Sequence, residues 1–176
     1  MSVKTGRIDE NLNLAEQMIQ AAKQKGCSVI VLPECLDIGW TNPAAHKLAQ
    51  PVPGSTSERL CRAAKESGIY AVAGLTERAG DRIYNTAILI SPQGEILLKH
   101  RKINTLTIEQ DIYSTGDRLS VVETELGKIG INTCADNFPN CLVLGHCLAR
   151  MGADILLSPC SWAVVAEHDN ETDPYG

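Results

Sequence analysis

The chain has 176 residues, of which 44% are hydrophobic and 21% charged, a composition typical of a folded globular domain and not of a disordered chain. Twenty-one acidic residues outnumber sixteen basic ones and give a net charge of −5. No dense run of Lys and Arg offers the basic face that attracts nucleic acid or an anionic membrane. No stretch approaches the ~18 consecutive apolar residues of a membrane span. We therefore expect neither nucleic acid nor a membrane as a partner.

Seven cysteines are many for a chain of this length. Their number is odd, no two of them form a CxxC pair, and no apolar signal segment follows the first residues. A disulfide framework and a structural zinc site are therefore disfavoured. We expect a reducing, cytoplasmic compartment in which most of the thiols are small buried apolar groups.

Helical and strand patterns alternate along the first part of the chain. Apolar residues recur with a 3.6-residue period over residues 9–23, which predicts an amphipathic helix. The β-branched run at 28–32 predicts a buried strand, and residues 35–54 show no clear period and predict a long loop. A capping-box pattern at Ser55–Glu58 then predicts a helix that ends near Ser67.

The rest of the chain alternates in the same way between strands and helices. Further strands are predicted over residues 69–73, 84–90, 95–99, 119–123, 128–133 and 154–157, and a further helix over 140–150. The turn at Ser91–Gly94 makes a hairpin of the strands beside it, and Gly127 marks a second hairpin. Such a mixture of βα units and hairpins predicts α/β or α+β layering, with helices packed on a mixed sheet.

Three reactive side chains come directly after predicted strands, namely Glu34, Lys102 and Cys134. Catalytic groups in layered α/β proteins gather at the carboxyl ends of strands. If these strands are parallel neighbours, the three side chains meet at one rim of the sheet. Taken alone, each has an ordinary structural interpretation, as a loop charge, a solvated edge or a buried thiol.

Together these three residue types suit nucleophilic acyl transfer at a thiol. A free cysteine titrates at ~8.5, so it is mostly protonated at neutral pH. A carboxylate within reach can take its proton, and an ammonium favours the thiolate and stabilises the oxyanion of a tetrahedral intermediate. The backbone N–H of Ala135 would be a second oxyanion donor. This chemistry needs neither a metal nor an organic cofactor.

Three segments in this order resemble the nitrilase, or carbon–nitrogen hydrolase, superfamily. They are Val29-Ile-Val-Leu-Pro-Glu34, Lys99-His-Arg-Lys102 and Gly130-Ile-Asn-Thr-Cys-Ala-Asp136. Each motif is weak alone, whereas three in order over a hundred residues form a strong signal. The resemblance covers most of the chain.

The resemblance implies an α-β-β-α sandwich of mixed sheets with helices outside. It also implies a cofactor-free hydrolase of non-peptide carbon–nitrogen bonds that acts on a small molecule and forms a homo-oligomer. By motif match, Glu34 would be the general base and Cys134 the nucleophile, and Lys102 would stabilise the tetrahedral intermediate. Glu109 matches a further family glutamate that positions the lysine or the substrate. Trp162 lies near a predicted rim loop and is a candidate for lining the substrate pocket.

The run Cys134–Asn140 departs from the family pattern. It is one residue shorter than in amidase-type members and lacks their aromatic residue, their Arg and their final Glu. True nitrilases resemble Cys-Trp-Glu at this point. Hydrolysis of an amide or an N-carbamoyl group is therefore favoured, and nitrile hydrolysis is kept as an alternative.

Length is the second departure from the family. The opening strand and the last third of the family pattern have no counterpart, so we expect a single, incomplete domain over residues 1–176. A non-catalytic fragment or pseudoenzyme that works by association is therefore another alternative. The presence of Glu34, Lys102 and Cys134 together favours the hydrolase.

Overall fold

The computed structural model describes residues 1–162, 167–169 and 171–172. Its helices are α1 (Ile8–Gln24), α2 (Ala45–Leu48), α3 (Ser55–Ser67) and α4 (Leu142–Arg150). Its strands are β1 (Val29–Val31), β2 (Tyr70–Ala79), β3 (Arg82–Ile90), β4 (Ile96–Arg101), β5 (Val121–Thr124), β6 (Gly127–Ile131) and β7 (Ile155–Leu157). Short 3₁₀ turns cover Thr107–Glu109, Cys134–Asn137 and Pro139–Cys141. None of the helices described here is long and apolar enough to cross a bilayer.

The strands form two mixed sheets. Sheet 1 has the order β1-β2-β3-β4 and sheet 2 the order β5-β6-β7. The strand β1 is parallel to β2, and β2, β3 and β4 pair in antiparallel fashion, so β1, β2 and β4 run in the same direction. In sheet 2, β6 is antiparallel to β5 and parallel to β7. The predicted hairpins are confirmed, and β2 and β3 form one more that the sequence analysis missed.

The core has two layers, one on each face of sheet 1. Alternate residues of β2 face opposite ways: Ala71 and Ala73 pack with the apolar faces of α1 and α3, whereas Val72 packs with β6 residues such as Ile129. On the far side of sheet 2, Leu148 of α4 is buried. The layers therefore follow the order α-β-β-α, and the predicted layered fold with helices outside is confirmed.

The start of helix α3 differs from the prediction. The N-cap is Gly54 instead of Ser55, because the N–H of Gly54 donates to Ser57 Oγ at 2.9 Å and Ser57 Oγ donates to the Gly54 carbonyl at 2.9 Å. A Cβ on Gly54 would overlap the Pro51 carbonyl oxygen. Backbone crowding thus selects glycine at the cap, and the hydroxyl three residues later closes the box.

The expected arrangement of the three reactive residues on parallel neighbouring strands is wrong. The strands β1 and β4 are separated by β2 and β3, and Cys134 follows β6 in the other sheet. Because β1 and β4 run the same way, Glu34 and Lys102 still leave sheet 1 at one edge. The packing of sheet 2 on sheet 1 brings the turn that carries Cys134 to the same place.

Gly74 fixes the path of the chain where it leaves β1. Its N–H donates to the Pro33 carbonyl at 3.1 Å, and its carbonyl accepts from Leu36 N at 2.9 Å. A Cβ at this position would lie 2.5 Å from Glu34 Cα and 2.9 Å from the Pro33 oxygen. The missing side chain therefore lets the Glu34 backbone cross β2 in close contact.

We expect Gly74→Ala to destabilise the protein by about 1–3 kcal/mol, the usual cost of overpacking. The added methyl has to displace the backbone at Glu34. Gly145→Ala is the matched control, since its Cβ would meet only Leu156 Cδ1 at 3.8 Å and alanine favours a helix by about 1 kcal/mol. Thermal unfolding followed by circular dichroism measures both. A Gly74→Ala protein that melts as high as Gly145→Ala would contradict this account.

Candidate active site

A buried ammonium group between two carboxylates forms the centre of the site. Lys102 Nζ lies 2.9 Å from Glu34 Oε1 and 2.6 Å from Glu109 Oε1, and the three side chains are fully buried. Burial opposes the positive charge, but the two carboxylates outweigh it and raise the pKa of Lys102 to about 12. Lys102 is therefore a cation throughout the neutral pH range.

Each carboxylate is also held by the backbone or by a neighbouring side chain. Glu109 ends a 3₁₀ turn, and its Oε1 accepts the N–H of Leu106 at 3.2 Å. Glu34 Oε2 accepts the N–H of Ser161 at 3.0 Å. The ammonium group therefore meets acceptors whose positions are fixed before any substrate binds.

Asn85 joins the two carboxylates, and the sequence analysis missed it. It lies on β3, and its Nδ2 donates to Glu34 Oε1 at 2.7 Å and sits 3.4 Å from Glu109 Oε2. The backbone carbonyl of Asn85 also accepts the backbone N–H of Lys102 at 2.8 Å. In the sequence Asn85 stands beside Thr86 in a mostly apolar strand, and nothing in that pattern indicates which side chains lie next to it.

Cys134 lies on a tight turn directly after β6. Its φ of 45° is in the left-handed region that a non-glycine residue seldom adopts, and such positions cluster at functional sites. Its N–H lies 3.1 Å from both Ser158 Oγ and the Pro159 carbonyl. These contacts from the segment after β7 hold the strained residue. Ala135 follows in the same turn and is also buried.

The segment 158–162 joins the two halves of the site. Besides the contacts to Cys134 N, the Ser161 N–H reaches Glu34, and the Cys160 carbonyl accepts the Glu34 N–H at 3.3 Å. Trp162 Nε1 donates to Cys134 Sγ at 3.0 Å. The indole is 44% exposed, so it stands where the buried thiol meets solvent.

Cys160 follows β7 and is a second thiol near the first, and the sequence analysis did not single it out. The nearby Cys160 thiol raises the pKa of Cys134, and Cys134 lowers the pKa of Cys160. Burial and the charge of Glu34 raise the pKa of Cys134 further, and Lys102 opposes them. Cys134 is therefore a protonated thiol at rest, and a base has to remove its proton before it can attack.

The structure thus brings together all six residues predicted for the site. Glu34, Lys102 and Glu109 form one cluster, and Trp162 contacts the Cys134 thiol beside Ala135. Trp40 adds an aromatic face, with Lys102 Nζ 5.8 Å from its ring centroid. Over the part of the chain that the structure describes, no three His, Cys, Asp or Glu side chains are grouped to hold a metal ion.

The chain is similar to known proteins over nearly its whole length. A family model described as carbon-nitrogen hydrolase matches residues 1–171. The omega-amidase NIT2 of Xenopus tropicalis is 35% identical over 161 residues, which are 85% of this chain and 57% of that protein. A nitrilase of Pyrococcus abyssi is 34% identical over 159 residues, covering 87% and 59%. The chain therefore spans less than two thirds of these relatives.

Solved structures show the same fold. Nit3 of Saccharomyces cerevisiae, a member of branch 10 of the nitrilase superfamily, superposes with a TM-score of 0.81 at 29% identity, covering 92% of this chain and 62% of that one. An amidase of Nesterenkonia sp. AN1, with acrylamide added at its active-site cysteine, gives a TM-score of 0.82 at 20% identity, covering 94% and 66%. At that identity the likeness concerns the fold alone.

We expect Cys160→Ala to lower the pKa of Cys134 and to speed its alkylation at neutral pH. The substitution removes the neighbouring thiol that favours the protonated form of Cys134. Iodoacetamide labelling across pH, quantified at Cys134 by peptide mass spectrometry, measures the change. Cys147→Ala, at an exposed cysteine, is the control and should leave the profile unchanged. An equal or higher pKa at Cys134 in Cys160→Ala would show that the thiol contact does not govern its ionisation.

Proposed function

This chain belongs to the carbon–nitrogen hydrolase family, and we propose that it hydrolyses an amide or N-carbamoyl bond of a small molecule through a thioester at Cys134. The observation that carries the proposal is the buried contact of Lys102 with Glu34 and Glu109, next to a thiol on a strained turn.

In the first half of the reaction, Glu34 removes the proton of Cys134 while Sγ attacks the carbonyl carbon. Glu34 is the carboxylate whose charge acts on that thiol. The ammonium of Lys102 and the N–H of Ala135 stabilise the oxyanion of the tetrahedral intermediate. Glu34 then gives its proton to the leaving nitrogen, and ammonia or an amine departs.

In the second half, water hydrolyses the thioester. Glu34 takes a proton from the water as its oxygen attacks the acyl carbon, and the same donors stabilise the second oxyanion. Collapse of this intermediate releases the carboxylic acid and returns the proton to the Cys134 sulfur. The side chains present therefore suffice to balance every proton of the cycle.

Glu109 has a separate role in this scheme. Glu34 loses its charge each time it takes a proton, and Lys102 would then be a buried cation without a counter-ion. Glu109 stays in contact with Lys102 Nζ at 2.6 Å and is fixed by its own 3₁₀ turn. It therefore keeps Lys102 charged and in place while Glu34 cycles between its two forms.

The substrate's acyl group is expected to enter beside Trp162. The indole contacts Cys134 Sγ and packs edge-on against Phe138 at 6.0 Å. A half-exposed aromatic wall suits a short, uncharged amide or carbamoyl group. The similarity to a nitrilase of Pyrococcus abyssi keeps nitriles as the second candidate substrates. Self-association and a cytoplasmic location stay predictions.

Ammonia release by the purified chain tests the proposal. The panel holds short amides, N-carbamoyl amino acids, an ω-amide of a keto acid, and nitriles. Cys134→Ala should abolish release, and Glu34→Gln should slow it by about 10²–10⁴-fold, the usual contribution of a general base. Cys147→Ala should match the wild type.

Circular dichroism confirms that each variant in this series is folded. Release from nitriles alone would favour the nitrilase alternative. A folded chain that releases nothing would favour the non-catalytic one, and release that survives Cys134→Ala would refute the thioester.

The pH dependence of kcat tests the proposed role of Glu109. With both carboxylates in place the pKa of Lys102 is about 12, so it causes no loss of kcat below pH ~10. Glu109→Gln removes one carboxylate that raises this pKa, and an alkaline loss of kcat should then appear at lower pH. Glu109→Asp, which keeps the charge, is the control. Identical alkaline limbs in the wild type and Glu109→Gln would contradict the proposed role.

A further inference from the structure

Asp136 is a buried carboxylate two residues after Cys134 that the proposed chemistry does not use. Its Oδ2 lies 2.7 Å from His100 Nε2 and accepts the N–H of Thr133 at 3.0 Å. His100 lies on β4 and is also buried. The pair therefore links the turn that carries Cys134 to the strand that leads into Lys102.

The other oxygen of Asp136 binds the chain just beyond Lys102. Oδ1 accepts the N–H of Ile103 at 3.1 Å and that of Asn104 at 2.7 Å. The side chain of Asn104 returns a bond of 2.7 Å to the Ala135 carbonyl. Hydrogen bonds in both directions thus connect the segment that carries Lys102, which leaves sheet 1, with the turn that carries Cys134, which leaves sheet 2.

The Asp136 carboxylate has all its acceptor positions filled. It receives four donors, which is about the number that a carboxylate offers sites for. Burial opposes its charge, but His100 and the backbone N–H groups outweigh this and lower the pKa of Asp136. An ionised carboxylate only accepts, so His100 Nε2 has to carry a proton and donate it.

The strained backbone of Cys134 makes this link important. The left-handed φ of 45° persists only if neighbouring contacts enforce it. The bond from Thr133 N to Asp136 Oδ2 closes the turn around Cys134. Without it, the turn can relax and change the position of Sγ relative to Lys102 Nζ.

We propose that Asp136, held by His100, is a positioning residue that sets the placement of the Cys134 thiol against the Lys102 ammonium. The proposal rests on the proposed function, because these are its nucleophile and its oxyanion donor. Neither Asp136 nor His100 takes part in proton transfer. A misplacement of about 1 Å in such a site costs about 10²-fold in rate.

The test compares two substitutions at His100 and one at Asp136. His100→Gln keeps an N–H donor near the position of Nε2, whereas His100→Leu removes it. Asp136→Asn keeps the shape but turns an NH₂ group toward donors. We expect kcat to fall about 10²-fold in Asp136→Asn and His100→Leu, with KM little changed and with His100→Gln close to the wild type.

A second readout does not depend on turnover, namely the pH dependence of Cys134 alkylation by iodoacetamide. The ionisable groups that face Cys134 are Glu34, Lys102 and Cys160. Of these, Lys102 lowers the pKa of the thiol. Glu34, which touches Lys102, raises this pKa by more than Lys102 lowers it, and burial raises it as well. If the turn moves away from the two side chains, the pKa of Cys134 should therefore fall, and labelling at neutral pH should become faster in Asp136→Asn and His100→Leu.

Glu77→Gln controls for a loss of stability alone. Glu77 is another buried carboxylate, bound by Thr86, Lys99 and Arg101, and it does not contact the site residues. It should lower the melting temperature without shifting the alkylation profile. An equal shift in Glu77→Gln would show that the effect is not specific to Asp136.

The outcomes separate this inference from the proposed function. Wild-type labelling profiles in both folded variants, Asp136→Asn and His100→Leu, would overturn the positioning role. If Asp136→Asn does not fold, the comparison of His100→Leu with His100→Gln decides alone. A wild type that hydrolyses nothing, combined with a shifted profile in His100→Leu, would refute the hydrolase while the positioning role stands.

Discussion

The site depends on one ammonium group that is fully removed from water between two carboxylates. A buried charge is tolerated only when it is paired and hydrogen-bonded, and Lys102 meets this condition through Glu34 and Glu109. Each carboxylate is in turn held by Asn85 and by backbone N–H groups. The fold therefore has to bring Glu34, Asn85 and the segment 102–109 together before Lys102 can be buried, and this requirement fixes the geometry on which any chemistry at Cys134 depends.

Both sheets contribute residues to the site. Sheet 1 supplies the charged cluster at the edge where β1 and β4 end, and sheet 2 supplies the thiol on the turn after β6. Two sets of hydrogen bonds hold these two parts of the site together. One set comes from the segment 158–162, which reaches Glu34 and Cys134, and the other from the carboxylate of Asp136. The site is thus built on loops, each of which is hydrogen-bonded to the opposite sheet or to a loop that leaves it.

The sequence allowed the layered fold and most of its elements to be predicted, because period and turn residues are local signals. The motif residues Glu34, Lys102 and Cys134 could be found in the same way. Asn85 and Cys160 could not, because their importance comes from neighbours that are distant in the sequence. Asn85 binds Glu34, 51 residues away, and Cys160 meets Cys134 only because β7 pairs in parallel with β6. The assumption of parallel neighbouring strands failed because the pairing of β2 with β3 inserts a hairpin between β1 and β4.

The contact between Ser161 and Glu34 spans 127 residues of sequence, and this separation has a consequence for the order of folding. Contacts between distant residues form late, because a long loop must close first. During synthesis Glu34 leaves the ribosome well before Ser161, so the helices α1 and α3 and sheet 1 can assemble while the site is still open. We therefore expect sheet 1 to assemble the lysine cluster first, and the thiol to be fixed against it only when β7 pairs with β6.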